Sequence, residues 1–179
     1  MGITIREALI TDAAQIAVLH TDSWRTHYRG IWTDIYLDND LLSERLIYWK
    51  DKLENPSNNQ KVKVAFDKNI LVGFACFFIA DDPVYGTLLD NLHVNTTNRG
   101  NGIGKLLLKE VAIISLGTGY EPKFYCWVLE QNFKARKFYE KMGAINKEVI
   151  PLENPDGITT SITCRYIWLD VKTILLQQQ

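Results

Sequence analysis

Residues 88–108, LLDNLHVNTTNRGNGIGKLLL, join an apolar strand to an amphipathic helix through a polar turn that contains three glycines. Apolar side chains interrupted at alternate positions predict a strand over 88–94, and a helical spacing of apolar side chains begins at Ile103. Such a turn directs several backbone N–H groups to one spot, where the helix dipole adds partial positive charge. The glycines carry no Cβ atom that would keep a ligand away. The stretch therefore predicts a cradle for a phosphate or pyrophosphate group.

Two common phosphate-binding loops do not fit these residues. A P-loop places glycine where Arg99 stands, and it places serine or threonine where Leu106 stands. A dinucleotide-binding fingerprint needs its third glycine one residue later than Gly104, and it opens a domain instead of lying in mid-chain. An ordinary tight turn between a strand and a helix is the alternative to a cradle.

Two short patterns carry a resemblance to a known family. Arg99-Gly100-Asn101-Gly102-Ile103-Gly104 resembles motif A of the GNAT superfamily of acyl-CoA-dependent N-acetyltransferases, Q/R-x-x-G-x-G/A. Residues 130–143, EQNFKARKFYEKMG, resemble the family's N-x-x-A-x-x-F-Y-x-x-x-G signature. Ala144 stands where the family usually has phenylalanine, which changes packing and not chemistry. Because both patterns occur in the family's order and on the expected elements, the chain is identified as a member of the superfamily.

The order of predicted elements is β, α, α, β, β, β, α, β, α, β, β, which indicates an α/β layer fold. The second helix is predicted from Ser43 to Asn55, with its apolar face at Leu42, Leu46, Trp49 and Leu53. GNAT domains have the same element order. The resemblance implies a mixed central sheet flanked by helices, with splayed central strands that form the acyl-CoA cleft. We predict a single N-acetyltransferase domain over residues 3–170 and a C-terminal tail over residues 171–179, frayed from Gln177.

Composition narrows the class of protein further. The chain of 179 residues is 46% hydrophobic, which suits one globular domain, and its net charge of −1 disfavours nucleic acid as a partner. No basic and apolar leader is visible, and no apolar run approaches the roughly 20 residues that a membrane helix needs. Three widely spaced cysteines suggest reduced, buried thiols in a cytoplasmic protein. The three histidines have no ligand-like spacing to a cysteine, so no metal site is expected.

The resemblance assigns acetyl-CoA as the acetyl donor and implies where it binds. The glycine turn would hold the pyrophosphate, and the strand before it would pair with the pantetheine amides like an added strand. Asn132 would hydrogen-bond the cofactor arm, although its side chain could instead cap its own helix. The expected cofactor-binding residues are Leu92, His93, Val94, Arg99, Gly100, Asn101, Gly102, Ile103, Gly104, Lys105, Asn132 and Ala135.

Acetyl transfer to an amine needs a proton acceptor and a proton donor. Tyr139 matches the family's general acid, and a phenol is protonated near neutral pH. The alternative is a core tyrosine beside Phe138. Asp90 is the candidate base, because strict alternation would place it on the same face of its strand as Leu92 and Val94. A bulge would change that placement, and Asp90 could instead anchor the substrate or lie on the surface. His93 and Glu130 are weaker candidates for the base.

An aromatic stripe precedes these motifs, with members four residues apart: His20, Trp24, Tyr28, Trp32 and Tyr36. Regular spacing favours one face of a helix, and Gly30 is expected to interrupt that helix. A packed core stripe is one interpretation. In the family this region roofs the acceptor pocket, so the resemblance implies that Trp24, Tyr28 and Trp32 line the substrate site.

The sequence thus predicts an acetyl-CoA-dependent N-acetyltransferase that acts on a primary amine by direct attack within a ternary complex. The acceptor is expected to be a small amine or a peptide, and a homodimer is left open. Cys126, on the strand across the cleft, keeps an acetyl-enzyme route open. The rival functions are a non-catalytic acyl-CoA-binding or sensing module of the same fold, and a purely structural domain.

Overall fold

The computed structural model describes residues 2–120 and 122–177. Its helices and strands follow the predicted order and add one helix at the C-terminal end. They are β1 Ile3–Glu7, α1 Ala13–Tyr28, α2 Leu41–Glu54, β2 Gln60–Asp67, β3 Ile70–Asp82, β4 Gly86–Val94, α3 Ile103–Gly117, β5 Phe124–Leu129, α4 Phe133–Lys141, β6 Ile145–Glu153, β7 Thr160–Trp168 and α5 Lys172–Leu176.

All of these strands join one sheet in the order β1-β2-β3-β4-β5-β7-β6. Every neighbouring pair is antiparallel except β4 and β5, which are parallel. One hydrophobic cluster packs α3, α4 and α5 against one face of the sheet. A second cluster packs α1 and α2 against the other face. The predicted mixed sheet flanked by helices is therefore confirmed.

The two central strands part halfway along their length. Within the described residues, β4 pairs with β5 only where Thr87, Leu88 and Leu89 face Phe124, Tyr125 and Cys126. Beyond Leu89 and Cys126 the strands diverge, so one edge of β4 over residues 90–94 has no strand beside it. We call this opening the fork, and it is the splay that the sequence predicts.

A β-bulge in β4 lies at the base of the fork. Asn91 is opposite Cys76 and Leu89 is opposite Phe77, so Asp90 is one extra residue with no partner across the strand pair. The prediction of strict alternation is therefore wrong in this strand. A bulge turns two successive residues to the same side, so Asp90 and Leu92 lie on opposite faces of the sheet.

The prediction for the C-terminal residues is corrected by α5. Val171 and Ile174 are fully buried in the cluster that includes α3, so residues 171–176 belong to the domain and not to a tail. A five-residue helix carries too short a pattern to be recognised in a sequence, and tertiary packing stabilises it. Residues 178 and 179 of the predicted tail lie outside the described residues.

Three further sequence expectations concern the whole chain. All three cysteines are free and buried, as predicted. Among the described residues, no helix is both long and apolar enough to cross a bilayer. The same residues contain no cluster of three or more acidic, histidine or cysteine side chains arranged to hold a metal ion.

Candidate active site

The glycine turn has an open surface on its outer side. Gly100 and Gly102 have φ angles of +84° and +78°, which side chains other than glycine adopt only with strain. A Cβ atom added at either glycine would meet no protein atom within 4 Å. Gly102 caps the N-terminus of α3, whose first backbone N–H groups have no acceptor inside the helix. Glycines with positive φ, open space and N–H groups that have no acceptor inside the helix together fit a bound phosphate group.

The third glycine of the turn differs from the other two. A Cβ at Gly104 would lie 3.6 Å from Val94 and 3.7 Å from Phe138, so this glycine allows close packing between β4, α3 and α4. Ile103 is buried and therefore offers only its backbone to a ligand. Arg99 lies across the end of β4, where its Nε donates to the carbonyl of Val94 at 3.4 Å. Partial desolvation lowers the pKa of Lys105, and Lys109 and Lys141 lower it further.

The strand that leads to the turn presents its backbone to the fork. Leu92, His93 and Val94 pair with β3 along one edge, and their other edge faces the gap. The side chain of His93 points to α1, where its Nδ1 lies 2.8 Å from the Ser23 hydroxyl. Burial lowers the pKa of His93 to about 3, which makes it a poor proton acceptor at neutral pH. The weaker candidacy of His93 as the base finds no support in this arrangement.

Asn132 takes the position of helix cap in the structure. It is the N-cap residue of α4, and its Oδ1 accepts from the backbone N–H of Ala135 at 3.2 Å. Its amide nitrogen would still be able to donate to a ligand. Asn132 and Ala135 thus hold one another at the start of α4, and their contact with a cofactor arm stays a prediction.

Tyr139 lies at the point where β4 and β5 separate. Its hydroxyl interacts with the thiol of Cys126, the last β5 residue that pairs with β4. The side chain is only 7% exposed and packs against Tyr166 and Trp168. Burial raises the pKa of Tyr139 well above its usual range, and the nearby Cys126 and Tyr28 add to the shift. The ring is part of the core, and the hydroxyl remains protonated at the fork.

Asp90 reaches the fork from the other face of the sheet. Its carboxylate interacts electrostatically with Lys52 and Arg45 of α2, and it accepts a hydrogen bond from the Asn91 amide at 2.5 Å. Solvent reaches the side chain, and the surrounding protein desolvates it in part. This partial desolvation raises the pKa of Asp90, while Lys52 offsets part of the shift. The bulge therefore delivers a carboxylate of increased basicity to the side that α1 and α2 cover.

The aromatic stripe stays continuous although α1 ends at Tyr28. Gly30 has a φ of +79°, and the chain turns back so that the N–H groups of Ile31 and Trp32 donate to the carbonyl of Tyr28. Successive rings of the stripe are 4.3 to 6.1 Å apart between centroids. The cluster around Trp32 includes Leu129, the last residue of β5, so the stripe closes the wide end of the fork.

Trp24, Tyr28 and Trp32 are brought together by this turn. Trp24 lies 4.7 Å from Trp32, and Tyr28 lies 4.3 Å from Trp32, measured between ring centroids. Trp32 is 6% exposed, and its buried indole nitrogen has no hydrogen-bond partner among the described residues. Burial raises the pKa of Tyr28 to about 12. The stripe therefore packs as a core element and also carries a polar group that lacks a partner.

Two residues near this region were not recognised in the sequence. Asp156, in the turn between β6 and β7, accepts from the N–H of Thr33 at 2.9 Å and so connects that turn to the aromatic stripe. Arg45 lies on the buried face of α2 together with Leu41 and Trp49, whereas Leu46 of the predicted apolar face is exposed. The spacing of four residues between Arg45 and Trp49 shows that both lie on one face of α2. Spacing alone does not show that a charged residue on that face is buried.

A glycine turn open to an anion beside a fork in a mixed sheet suits an acyl-CoA-dependent transferase, and comparisons with known proteins agree. A model of the Acetyltransferase (GNAT) family matches residues 18–144. The uncharacterized N-acetyltransferase YuaI of Bacillus subtilis (strain 168) is 33% identical over 133 residues, which cover 73% of each chain.

Solved structures share the fold at lower identity. PaiA N-acetyltransferase from Thermoplasma acidophilum, in complex with coenzyme A, has a TM-score of 0.72 and 21% identity over 94% of this chain and 100% of that one. YncA from Salmonella typhimurium, with its cofactor acetyl-CoA, has a TM-score of 0.66 and 20% identity over 95% of both chains. The chain belongs to the GNAT acetyltransferase family and is an acetyl-CoA-dependent acyltransferase.

Proposed function

We propose that the protein moves the acetyl group of acetyl-CoA to a primary amine by direct attack within a ternary complex. The observation that carries the proposal is the arrangement at the fork. Asp90 approaches it from the face covered by α1 and α2, and the Tyr139 hydroxyl approaches it from the opposite face. A proton acceptor and a proton donor on two sides of one opening suit a transfer that needs both.

The residues around the fork fit the donor molecule. The backbone from Arg99 to Lys105 would hold the pyrophosphate, because its glycines leave open space in front of the N-terminus of α3. The free edge of β4 over Leu92–Val94 would pair with the pantetheine amides. Bound acetyl-CoA supplies an activated acetyl group at the end of a thioester. Two structural relatives were solved with coenzyme A or acetyl-CoA bound, which supports the same ligand here.

Each side chain then has one task. Asp90 accepts a proton from the acceptor amine, directly or through one water, and its raised pKa makes it a stronger base than an ordinary aspartate. Tyr139 donates its proton at the position of the leaving sulfur, and its high pKa keeps that proton in place until it is needed.

Direct attack is favoured over an acetyl-enzyme by the state of Cys126. Its thiol is 1% exposed, and burial raises its pKa, so the nucleophilic thiolate is scarce at neutral pH. Cys76 is fully buried with a raised pKa as well. Neither thiol has the environment of a nucleophile.

The proposal is tested by the release of coenzyme A thiol from acetyl-CoA across a panel of small amines, amino acids and peptides. Amine-dependent release identifies the enzyme, and mass spectrometry of the acetylated product identifies the bond formed. Saturable acetyl-CoA binding without release for any acceptor would support the rival acyl-CoA-sensing function. The near-neutral charge of the chain favours a small amine or a peptide over a nucleic acid as acceptor.

Two expectations about the cell and the assembly accompany the proposal. Free, buried cysteines support a cytoplasmic location, because thiols persist where the surroundings are reducing. A homodimer stays a prediction that sedimentation of the purified chain would decide.

Asp90→Asn is expected to lower kcat/KM by at least about tenfold near neutral pH, since an amide cannot accept the proton. In the native enzyme the rate should fall as the pH drops through the pKa of Asp90, which lies above the ordinary aspartate value of about 3.9. The variant should lose that acidic limb, and its deficit should shrink at high pH, where solvent deprotonates the amine. A pH profile of kcat/KM measures both effects.

Asp67→Asn provides the control for that profile, because Asp67 ends β2 and takes no part in the fork. This variant should keep the native pH profile. An Asp90→Asn enzyme that retains the acidic limb would assign the base to another group and leave Asp90 as a substrate anchor.

Trp32→Phe is expected to raise the KM of the acceptor several-fold, with a much smaller change in acetyl-CoA affinity. The change keeps an aromatic ring but removes the buried N–H that has no partner in the structure, and a lost neutral hydrogen bond is worth about 1 kcal/mol. Trp168→Phe is the matched control, because its indole N–H already donates to the carbonyl of Met142 at 2.9 Å. Trp168→Phe should lower the melting temperature and leave KM unaltered. If the two variants show the same changes in acceptor KM and melting temperature, the aromatic stripe only packs the core.

A further inference from the structure

Arg45 is a buried cation on the acceptor side of the fork. It lies on α2, is 8% exposed, and its guanidinium stacks between two aromatic rings. The distance from its Cζ to the ring centroid is 4.8 Å for Trp24 and 4.4 Å for Tyr48. Arginine is rarely buried in this way unless its donors are used, so the partners of each nitrogen matter.

Only part of the guanidinium is paired. Nη2 donates to one carboxylate oxygen of Glu44, whose other oxygen accepts from the Tyr36 hydroxyl at 2.7 Å. Nε is buried and has no acceptor, and Nη1 makes no hydrogen bond within the described part of the chain. Nη2 carries two protons and Glu44 accepts one of them, so the Nε–Nη2 side of Arg45 keeps N–H groups for a further acceptor. An unsatisfied buried donor is costly, and a ligand that supplies the acceptor removes that cost.

Two more buried donors without acceptors contact the same tryptophan. Trp49 donates its indole N–H to Nδ1 of His20 at 2.9 Å, so the proton of neutral His20 must sit on Nε2. That Nε2 is buried and has no partner among residues 2–120 and 122–177, and the same is true of the indole nitrogen of Trp32. The ring of Trp24 lies 4.4 Å from His20 and 4.7 Å from Trp32 between centroids. Three side chains around one indole thus carry donors and lack acceptors.

This surplus of hydrogen-bond donors indicates which chemical group of a ligand would fit here. A group rich in acceptor oxygens satisfies several N–H donors at once, and a carboxylate pairs with guanidinium through two parallel hydrogen bonds. Asp90 lies on the same face of the sheet as Arg45, because the bulge turns it to the side that α1 and α2 cover. The acceptor side of the fork therefore offers one anion for an amine and one arginine for a carboxylate.

We propose that the acceptor is an amino acid, whose carboxylate accepts hydrogen bonds from the Nε–Nη2 side of Arg45 while its amine faces Asp90. The proposal rests on the proposed acetyl transfer and narrows the acceptor from primary amines to zwitterions that carry a carboxylate beside the amine. Glu44 holds the guanidinium in place through Nη2, and the rings of Trp24 and Tyr48 fix its plane. The aromatic stripe is left to contact the side chain of the amino acid.

The charges that face this site are balanced for such a ligand. Glu44 and Arg45 form an ion pair, while Lys52 acts on Asp90 and so compensates its charge. Asp81 also acts on Asp90, but its carboxylate accepts from the Tyr125 hydroxyl at 2.5 Å. A zwitterion adds one charge of each sign, so its binding keeps the balance, whereas a simple alkylammonium adds only positive charge.

Matched substrate pairs test the proposal. Leucine is compared with 3-methylbutylamine, phenylalanine with 2-phenylethylamine, and methionine with 3-(methylthio)propylamine, because each pair differs only by the carboxylate. Such pairs extend to the other amino acids that have stable decarboxylated counterparts. The native enzyme should favour at least one amino acid over its amine by about tenfold or more in kcat/KM, as one charge-assisted interaction provides. The preference should appear mainly as a lower KM for the amino acid than for its amine.

Arg45→Met should reduce the ratio of amino-acid to amine kcat/KM by about tenfold or more, because it removes the carboxylate partner but keeps side-chain length. Arg45→Lys should give an intermediate ratio, because an ammonium keeps the charge without the planar pair of donors. Lys50→Met removes the same charge from the exposed side of α2, and its ratio should equal that of the native enzyme. Melting curves show that each variant is folded, and the intermediate Arg45→Lys result remains available if Arg45→Met does not fold.

Calorimetry separates this proposal from the proposed function. Titration of amino acids into protein saturated with coenzyme A should show binding in the native chain and a weakened affinity in both Arg45 variants. Thiol release for amines with no preference for amino acids would overturn the assignment of Arg45 and keep the acetyltransferase. No release for any acceptor would overturn the proposed function, and calorimetry would still decide whether Arg45 binds a carboxylate. Absence of amino-acid binding to the native chain would overturn the inference directly.

Discussion

Replacing Tyr139 by phenylalanine is expected to lower kcat by about 100-fold or more while acetyl-CoA affinity stays nearly unchanged. The hydroxyl is the only polar atom lost, and it lies at Cys126, where β4 and β5 stop pairing. Its raised pKa means that it acts as a proton donor and not as an anion. The ring stays in the core against Trp168, so the fold should tolerate the change. Steady-state rates and acetyl-CoA calorimetry on the same preparation measure the two quantities.

Tyr166→Phe is the matched control for the loss of a buried hydroxyl. Tyr166 belongs to the same core, but its hydroxyl donates to Glu140 at 2.6 Å and accepts from Arg136 at 3.1 Å, so its role is structural. This variant should lose stability and keep kcat. If Tyr139→Phe turns over at the native rate with a good acceptor, Tyr139 only packs the core and the proton comes from another source.

Gly102→Val is expected to abolish measurable binding of acetyl-CoA. For the native protein we expect a Kd in the micromolar range, which is a binding free energy of order −8 kcal/mol. Gly102 has a φ of +78°, which valine adopts only with strain of about 1–3 kcal/mol. The added side chain would also fill the open space in front of the N–H groups of α3. Isothermal calorimetry measures the affinity. The rise in melting temperature that acetyl-CoA gives the native protein should vanish in parallel.

The opposite end of the same helix supplies the control. Gly119 follows α3 with a φ of +76°, and a Cβ there also meets no atom within 4 Å. Gly119→Val therefore imposes comparable strain away from the turn, and it should lower stability without loss of binding. If Gly102→Val binds acetyl-CoA with native affinity, the pyrophosphate does not bind at the glycine turn.

The predictable part of the site is the part that is contiguous in sequence. The glycine turn and the start of α4 are each short stretches, so their strand, cap and helix patterns sit side by side, and both lie where the patterns predict. The aromatic stripe was also visible, because a spacing of four carries across the turn at Gly30. Whether these rings pack in the core or line a ligand site depends on contacts with distant residues such as Leu129. The local spacing of the sequence does not reveal those contacts.

The unpredicted part depends on contacts between distant segments. The bulge at Asp90 exists only relative to β3, so the alternation of β4 alone gave the wrong face. Arg45 occupies the buried face of α2 because Trp24 and Tyr48 surround it, and hydrophobic periodicity assigns such a face to apolar residues. For α5, burial against α3 decides the structure, whereas a five-residue segment has no helical tendency of its own.

Because of the bulge, the number of residues in β4 matters for the site. The unpaired residue lies one position beyond Leu89, the last β4 residue that pairs with β5, and a bulge bends and twists the strand that contains it. One surplus residue therefore lies where the sheet opens and also carries the proposed base. A deletion of one codon at Asp90 is expected to remove that carboxylate and the bulge in a single step, whereas a substitution there keeps the residue count of the strand. Engineered changes of acceptor range should therefore preserve the residue count of this strand.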